Sequence, residues 1–579
     1  MKTSEKKEVK EKAKKEDSQK VKDIKFHILA IFCIIIFCAA ICPVTMQNDT
    51  YYTIKIGEHI INTKTVDMQD PFSWHELPYT YPHWAYDVMI YLIYNLGGFL
   101  GIFISTIVFA CILGILMYCT NYKISKNKLI SFAITIGGMF LIKDYIAARA
   151  QLVTFILLEL TILLIENFLE KKKAGYAIGI IVISTAIANL HCAVWPFFFV
   201  IFLPYIAEYL IFTVIDAQPV YRIRKKYYDI KIKNYNKKIE KEAIEENKKT
   251  LDEKLKKVIT AKEKFEEKNA KILKNREAKR KEPYKIRYNK NKNAKWLILI
   301  MAICVLTGLL TPLGDTPYTY LYKTMKGNTT KSISEHLPLT LINNKEMLVV
   351  LTATLALLIF TDTKIRLKDL FMFAGLTLLM FMTRRQESML VLLGSAVLAT
   401  LITQLFTKYD EKGLKEFEDI AVSSLGTIAV VLLIVLLSVI EIKPKLDDKF
   451  VNPSTYPVDA AKYIKENLDV NSIKLFNEYN YGSYLLFEGI PVFIDSRADL
   501  YAPEFNGVKG KDGKYEGQDI FSDYINTSNI SKYYENTFNT YGITHVILYK
   551  NSKLNIFLSR SDKYKELYSD KKFVIYERD

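Results

Sequence analysis

Ionisable and polar side chains gather in five stretches of this chain, each set beside a long apolar run. The first, NDTYYTIKIGEHIINTKTVDMQDPFSW at 48–74, carries Asp49, Glu58, His59, Asp67 and Asp70, and His75, Glu76 and His83 follow it. The second offers Lys143, Asp144 and Arg149, and the third, ANLHCAVW, offers Asn189 and His191. The fourth holds Asp315, Lys323, Glu335 and His336, and the fifth, TRRQE, holds Arg384, Arg385 and Glu387. Carboxylates and imidazoles exchange protons or bind cations, while the arginine fork matches the oxygens of carboxylates and phosphates. Five of the seven histidines fall in this set. Such groups near a membrane are costly unless paired or solvated, so their sharing one face points to a functional cavity.

The elements that must position them are membrane helices. Half of the 579 residues are hydrophobic. They concentrate in runs such as FHILAIFCIIIFCAAICPV and SSLGTIAVVLLIVLLSVIEI, of the length that spans a bilayer. The pattern predicts a polytopic α-helical membrane protein of about eleven spans, near 26–45, 97–119, 129–142, 151–169, 174–190, 193–214, 296–311, 346–361, 369–383, 387–406 and 420–441. The first run is longer than a signal peptide's apolar region and reads as an uncleaved anchor.

The formal charge of +17 resides in two places. Residues 1–25 hold ten basic and six acidic side chains, and residues 220–295 hold 28 and 12. The remainder carries slightly more acid than base, which argues for the positive-inside rule and against a nucleic-acid partner. With 1–25 in the cytoplasm of a plasma-membrane protein, five basic loops alternate to the same side. The segment 443–579 and all five polar stretches then lie outside. The seven cysteines lie in or beside apolar runs without a CxxC pair, as small packing residues do.

The 220–295 insert has no glycine, and no proline before Pro283. Ile244, Leu251, Val258 and Phe265 recur at seven-residue spacing. It predicts a helical hairpin or weak coiled coil under the membrane, either a solvated insertion or a surface for anionic lipid headgroups. The tail predicts a small α/β domain, with a helix in YPVDAAKYIKENL and strands in SIKLFN, PVFID, THVILYK and FVIYE. Asp495 and Arg497 in it read as a structural ion pair.

The order of these motifs resembles GT-C-fold membrane glycosyltransferases, in particular a bacterial branch. The first loop and YPHWAYDVMIYLIYNLGG resemble that branch's first extracytoplasmic loop with its DPFS element. ARAQ resembles its ARPQ, with Ala150 for proline, and NLHC its NLHG, with Cys192 for glycine. TPLGDTPY…ISEHLPL and TRRQE resemble two further elements, and FNEYNYGSYLLFEGIPVFIDSRADLY resembles a common closing segment. The resemblance implies transfer of a sugar from a polyprenyl-phosphate donor to an acceptor at the outer face. It implies Asp49 as base, with Asp70 as an alternative base or a metal ligand. Arg149, Arg384 and Arg385 then meet the donor phosphate, with His191, Glu335 and His336 completing the site. Two acids and the histidines permit Mg²⁺ or Mn²⁺ without requiring either. The competing class is a non-catalytic membrane protein, a transporter or envelope-assembly partner. A transporter would show inverted repeats and broken mid-membrane helices.

Overall fold

A computed structural model of the chain describes residues 2–281, 285–287, 291–327, 329–510 and 515–579. Pro283 falls outside the described residues, as does the side chain of Asp67. Every apolar run is helical, the conformation that satisfies its own backbone where water is absent. Among the described residues six stretches are long and apolar enough to cross a membrane: Gln19–Ile41, Trp84–Ser125, Ala150–Lys171, Cys192–Lys241, Arg384–Tyr409 and Ser424–Lys445. Shorter apolar helices stand between them, among them Lys128–Leu141 and Ala174–Leu190. The 14 residues of Lys128–Leu141 reach only about 21 Å of a hydrocarbon layer of about 30 Å.

Small residues let these helices pack closely. A side chain at Gly114 would come within 2.7 Å of the Cys38 sulfur. Among the described residues the seven cysteines are free thiols, and Cys33, Cys38, Cys42, Cys192 and Cys304 are buried.

The stretch after the first apolar helix is largely not a loop. Asn48–Thr63 is a 16-residue helix whose Thr50, Tyr51, Ile54, Ile56 and Ile60 are buried. Lys64 ends it in the left-handed region at φ 58°, its N–H returning to Ile60 O. A two-stranded antiparallel hairpin follows, pairing Asp67–Gln69 with Pro78–Thr80. The helix Trp84–Ser125 then kinks at Gly98, where φ is 58°. That left-handed φ suits glycine and separates the stretch beside the hairpin from the apolar one.

The insert forms an antiparallel pair, Pro219–Lys241 against Glu245–Lys281. Tyr221 stacks on Phe265 at 5.4 Å between centroids, and Lys262 meets Asp229 at 2.7 Å. Ile244 lies in the turn and is exposed, so the seven-residue spacing is used only from Leu251 onward. The chain rejoins the bundle where Ile286–Arg287 pairs in parallel with Ile365–Arg366.

The tail carries a four-stranded mixed sheet in the order Leu475–Phe476, His545–Tyr549, Phe573–Arg578, Tyr564–Ser569. The first pair is parallel and the other two antiparallel. PVFID, expected as a strand, is not part of this sheet. Asn477 intercepts its backbone, accepting from Phe493 N at 2.9 Å and donating to Ile494 O at 2.7 Å. Val492 instead makes an isolated bridge to Ser73 of the first interhelical segment. One apolar core therefore runs through both: Tyr51 lies against Tyr456, Tyr484 and Phe487 at 4.9, 5.3 and 5.5 Å.

Candidate active site

Asp49 stands in the first turn of helix Asn48–Thr63. Arg149 is the residue that opens helix Ala150–Lys171, with extended backbone at φ −131°. These two starts meet: Arg149 Nη2 lies 2.5 Å from Asp49 Oδ2, and Nη1 lies 3.3 Å from Glu335 Oε1. Asp49, then Glu335 and Tyr52, push the guanidinium above its ordinary pKa despite burial. The Asp49 side chain keeps 18% of its surface exposed, so a ligand can still reach the carboxylate.

Arg385 and Arg384 sit in a short turn between helices Leu367–Met382 and Glu387–Tyr409. Arg385 is half-buried, and the charges acting on it include Arg149, Glu335 and Asp49. Among the described residues its guanidinium has no hydrogen-bond or ion-pair partner. Arg384 is exposed; its backbone N–H donates to Leu337 O at 2.8 Å and its carbonyl accepts from the Tyr145 hydroxyl at 3.1 Å. This ties the arginine turn to the segment carrying Glu335 and His336.

His191 is buried at the end of helix Ala174–Leu190, with Nδ1 2.9 Å from the Thr154 hydroxyl. Thr154 gives its proton to Ala150 O at 3.0 Å, so His191 Nδ1–H is the donor and Nε2 is left as an acceptor. Burial, with Arg385, His83 and Arg149 adding to it, holds His191 well below the ordinary histidine pKa, so it is neutral. Burial and Arg385 lower His336 as well. Ala150 is the first residue of its helix, a position where proline is tolerated but not needed. The Cys192 N–H donates to Pro82 O at 3.0 Å, and Asn189 accepts from Trp84 Nε1 at 3.2 Å. Both bonds lock the His191 turn onto the first interhelical segment.

Asp70, expected as an alternative base or a metal ligand, belongs to a different constellation from Asp49. Its Oδ2 accepts from Ser73 N at 2.9 Å, and its Oδ1 lies 2.6 Å from Arg497 Nη1. Arg497 also meets Asp495 at 2.6 Å, and the side chains of all three are fully buried. The Tyr501 hydroxyl donates to Asp495 at 2.6 Å, and Arg497 lies 5.4 Å from the Phe72 ring. Trp74 Nε1 donates to Leu475 O at 3.2 Å, and a His75 ring nitrogen meets Phe493 O at 2.8 Å. The DPFS element is thus a clasp onto the tail. Asp49 and Asp70 pair with different arginines, Arg149 and Arg497, so the two acids do not share one site. Among the described residues no group of three His, Cys, Asp or Glu side chains is placed to hold a metal.

Four contributors, Tyr52, Asp87, Tyr320 and Asp499, escape a reading by motif. Tyr52, one turn after Asp49, reaches His83 at 3.3 Å, and His83 pairs with buried Asp87 at 2.7 Å. The i,i+4 spacing in HWAYD is the signal that would have found the last pair. Tyr320 donates to Asp499 of the tail, and Arg385 is among the charges acting on Asp499, so the tail reaches the same cluster.

No protein-family model matches the chain, and no curated protein matches it. Among solved structures, the apo oligosaccharyltransferase of Archaeoglobus fulgidus aligns with 90% of this chain and 69% of its own, at 12% identity and a TM-score of 0.50. The chain is accordingly a helical membrane protein whose fold is like that of this oligosaccharyltransferase.

Proposed function

We propose that the protein is a membrane glycosyltransferase that moves a sugar from a polyprenyl-phosphate-linked donor to a hydroxyl acceptor at the outer face. The observation that carries this reading is the contact of Asp49, Arg149 and Glu335 from three separate elements, with Arg385 and His191 near enough to feel the charges of that group. The acceptor oxygen attacks the anomeric carbon while the bond from that carbon to the phosphate oxygen breaks. The Asp49 carboxylate takes the hydroxyl proton, a step worth about 10²–10⁴ in rate. The departing phosphate keeps the bonding electrons, and Arg385, free of other partners, and Arg149 receive its charge. His191 Nε2 accepts a hydrogen bond from a sugar hydroxyl. Asp70 holds the first segment to the tail and takes no part in the chemistry. The distribution of basic loops, which predicts eleven spans with the N-terminus inside and the tail outside, supports an outward-facing cluster, on the side where a lipid carrier would present its phosphate. Archaeal oligosaccharyltransferase, named for a sugar transfer, supports this reading through its fold.

The test is Asp49→Asn in purified, reconstituted protein supplied with polyprenyl-phosphate sugars. Transfer is expected to fall at least about 10²-fold with expression and membrane insertion unchanged. Full activity in this variant would remove Asp49 from the mechanism. Absence of transfer by the wild type with every carrier-linked sugar would favour the non-catalytic alternative.

A further inference from the structure

Beside the Asp49–Arg149 pair lies a second line of polar groups that the proposed transfer leaves unused. Asp87 is fully buried in the first turn of helix Trp84–Ser125, and its Oδ1 lies 2.7 Å from Nδ1 of His83, the cap residue of that helix. The helix itself holds this i,i+4 pair. On the far side of the ring, His83 Nε2 stands 3.3 Å from the Tyr52 hydroxyl. Tyr52 follows Asp49 by three residues on its helix, so phenol and carboxylate share a face. The two helices touch at Gly57, where a Cβ would lie 2.1 Å from the Asp87 carbonyl oxygen. Any side chain there would part Tyr52 from His83.

A carboxylate on Nδ1 fixes the imidazole's orientation and favours its charged form. Burial alone pulls His83 down, but Asp87 outweighs it and the group titrates above the ordinary histidine value. The other charges facing His83 are Asp49, which adds to this, and Arg149, which opposes it. The remaining neighbour, His191, has its ring centroid 6.5 Å away and is neutral.

We propose that the Asp87–His83 pair is a titratable positioning device of the phosphate site: as imidazolium, His83 fixes the Tyr52 hydroxyl beside Asp49 and Arg149 and adds a positive charge that favours a phosphate ester. This inference rests on the transferase reading. The sign follows from the raised folded value. His83 is charged at low pH and loses its proton as pH rises through that value, so phosphate affinity falls in the same interval. Removing Asp87 lets burial dominate and moves the interval to lower pH.

The experiment is binding of a polyprenyl-phosphate-linked sugar, whose phosphodiester keeps a single charge throughout, to the full-length protein in nanodiscs, from about pH 5 to 8, the window of histidine titration. Wild-type affinity is expected to fall about tenfold across the window, the worth of one charge-assisted hydrogen bond. Asp87→Asn moves the midpoint down by about one pH unit. His83→Gln binds at the weak, high-pH level throughout, and decides the matter alone should Asp87→Asn fail to insert. A wild-type affinity independent of pH, or an Asp87→Asn midpoint that stays in place, would overturn the role of His83 while leaving the transferase reading intact. Failure of the wild type to bind the carrier at any pH would overturn both. Equal competition by inorganic phosphate would overturn the lipid carrier as ligand and retain the His83 titration.

Discussion

Glu159 stands in helix Ala150–Lys171, nearly three turns below the Arg149 cluster, and is 1% exposed. The Thr120 hydroxyl faces its carboxyl group, but neither makes a hydrogen bond of good geometry among the described residues. A lone carboxylate in such a place is costly, so a side chain of equal shape without charge costs nothing to substitute. Glu159→Gln is expected to leave thermal stability in detergent unchanged or raised, with sugar transfer retained. Glu159→Lys adds a buried cation and is expected to prevent accumulation of folded protein. A Gln variant that loses transfer but keeps its melting profile would assign Glu159 a part in the reaction. Asp49 differs from it in both respects: it is paired with Arg149 and its side chain is 18% exposed.

At the scale of elements, the clasp formed by Asp70, Arg497 and Asp495 joins the first interhelical segment to a tail more than four hundred positions away. Breaking a buried ion pair on one side costs about 3–5 kcal/mol, because the remaining charges stay buried without compensation. Arg497→Met strands two carboxylates and is expected to loosen the tail, read as faster protease cleavage within 443–579 and a lower melting temperature. The triple variant that also carries Asp70→Asn and Asp495→Asn removes those charges and is expected to regain much of the loss. An Arg497→Met protein as protease-resistant as the wild type would show that the apolar core around Tyr51 holds the two parts without the clasp. Transfer should fall with the clasp as well, since Tyr320 and Asp499 bring the tail to the arginine turn.

For the whole molecule, contact constrains topology. Segment 48–83 and the tail share one core, so they lie on the same side of any membrane the helices cross. The insert extends from the far end of the bundle and returns through Ile286–Arg287. Lys64, Lys254 and Lys550 are exposed positions on these three parts. Cysteine at 64 or 550 is expected to react with an impermeant maleimide on whole cells, and cysteine at 254 only after lysis. Labelling of 64 and 550 only after lysis would put the proposed site on the cytoplasmic face and exclude the outward reaction.

The helical, membrane-bound class of this protein was legible from its sequence, because a bilayer demands long apolar runs and a helix is their self-satisfying conformation. So were the basic hairpin and most of the residues around Arg149, because unpaired charge beside such runs is rare enough to stand out. The sequence also marked Asp495 and Arg497 as a pair, two positions apart. It did not reveal that Asp70 completes that pair, nor that Tyr52, His83 and Asp87 line up beside Asp49. Those contacts join side chains across helices whose relative placement depends on close approach at Gly57 and on a shared aromatic core. Spacing along one helix is a local property, readable from the order of residues. Which of two identical carboxylates pairs with an arginine yet stays partly exposed, and which is sealed against one, is decided only when distant segments pack.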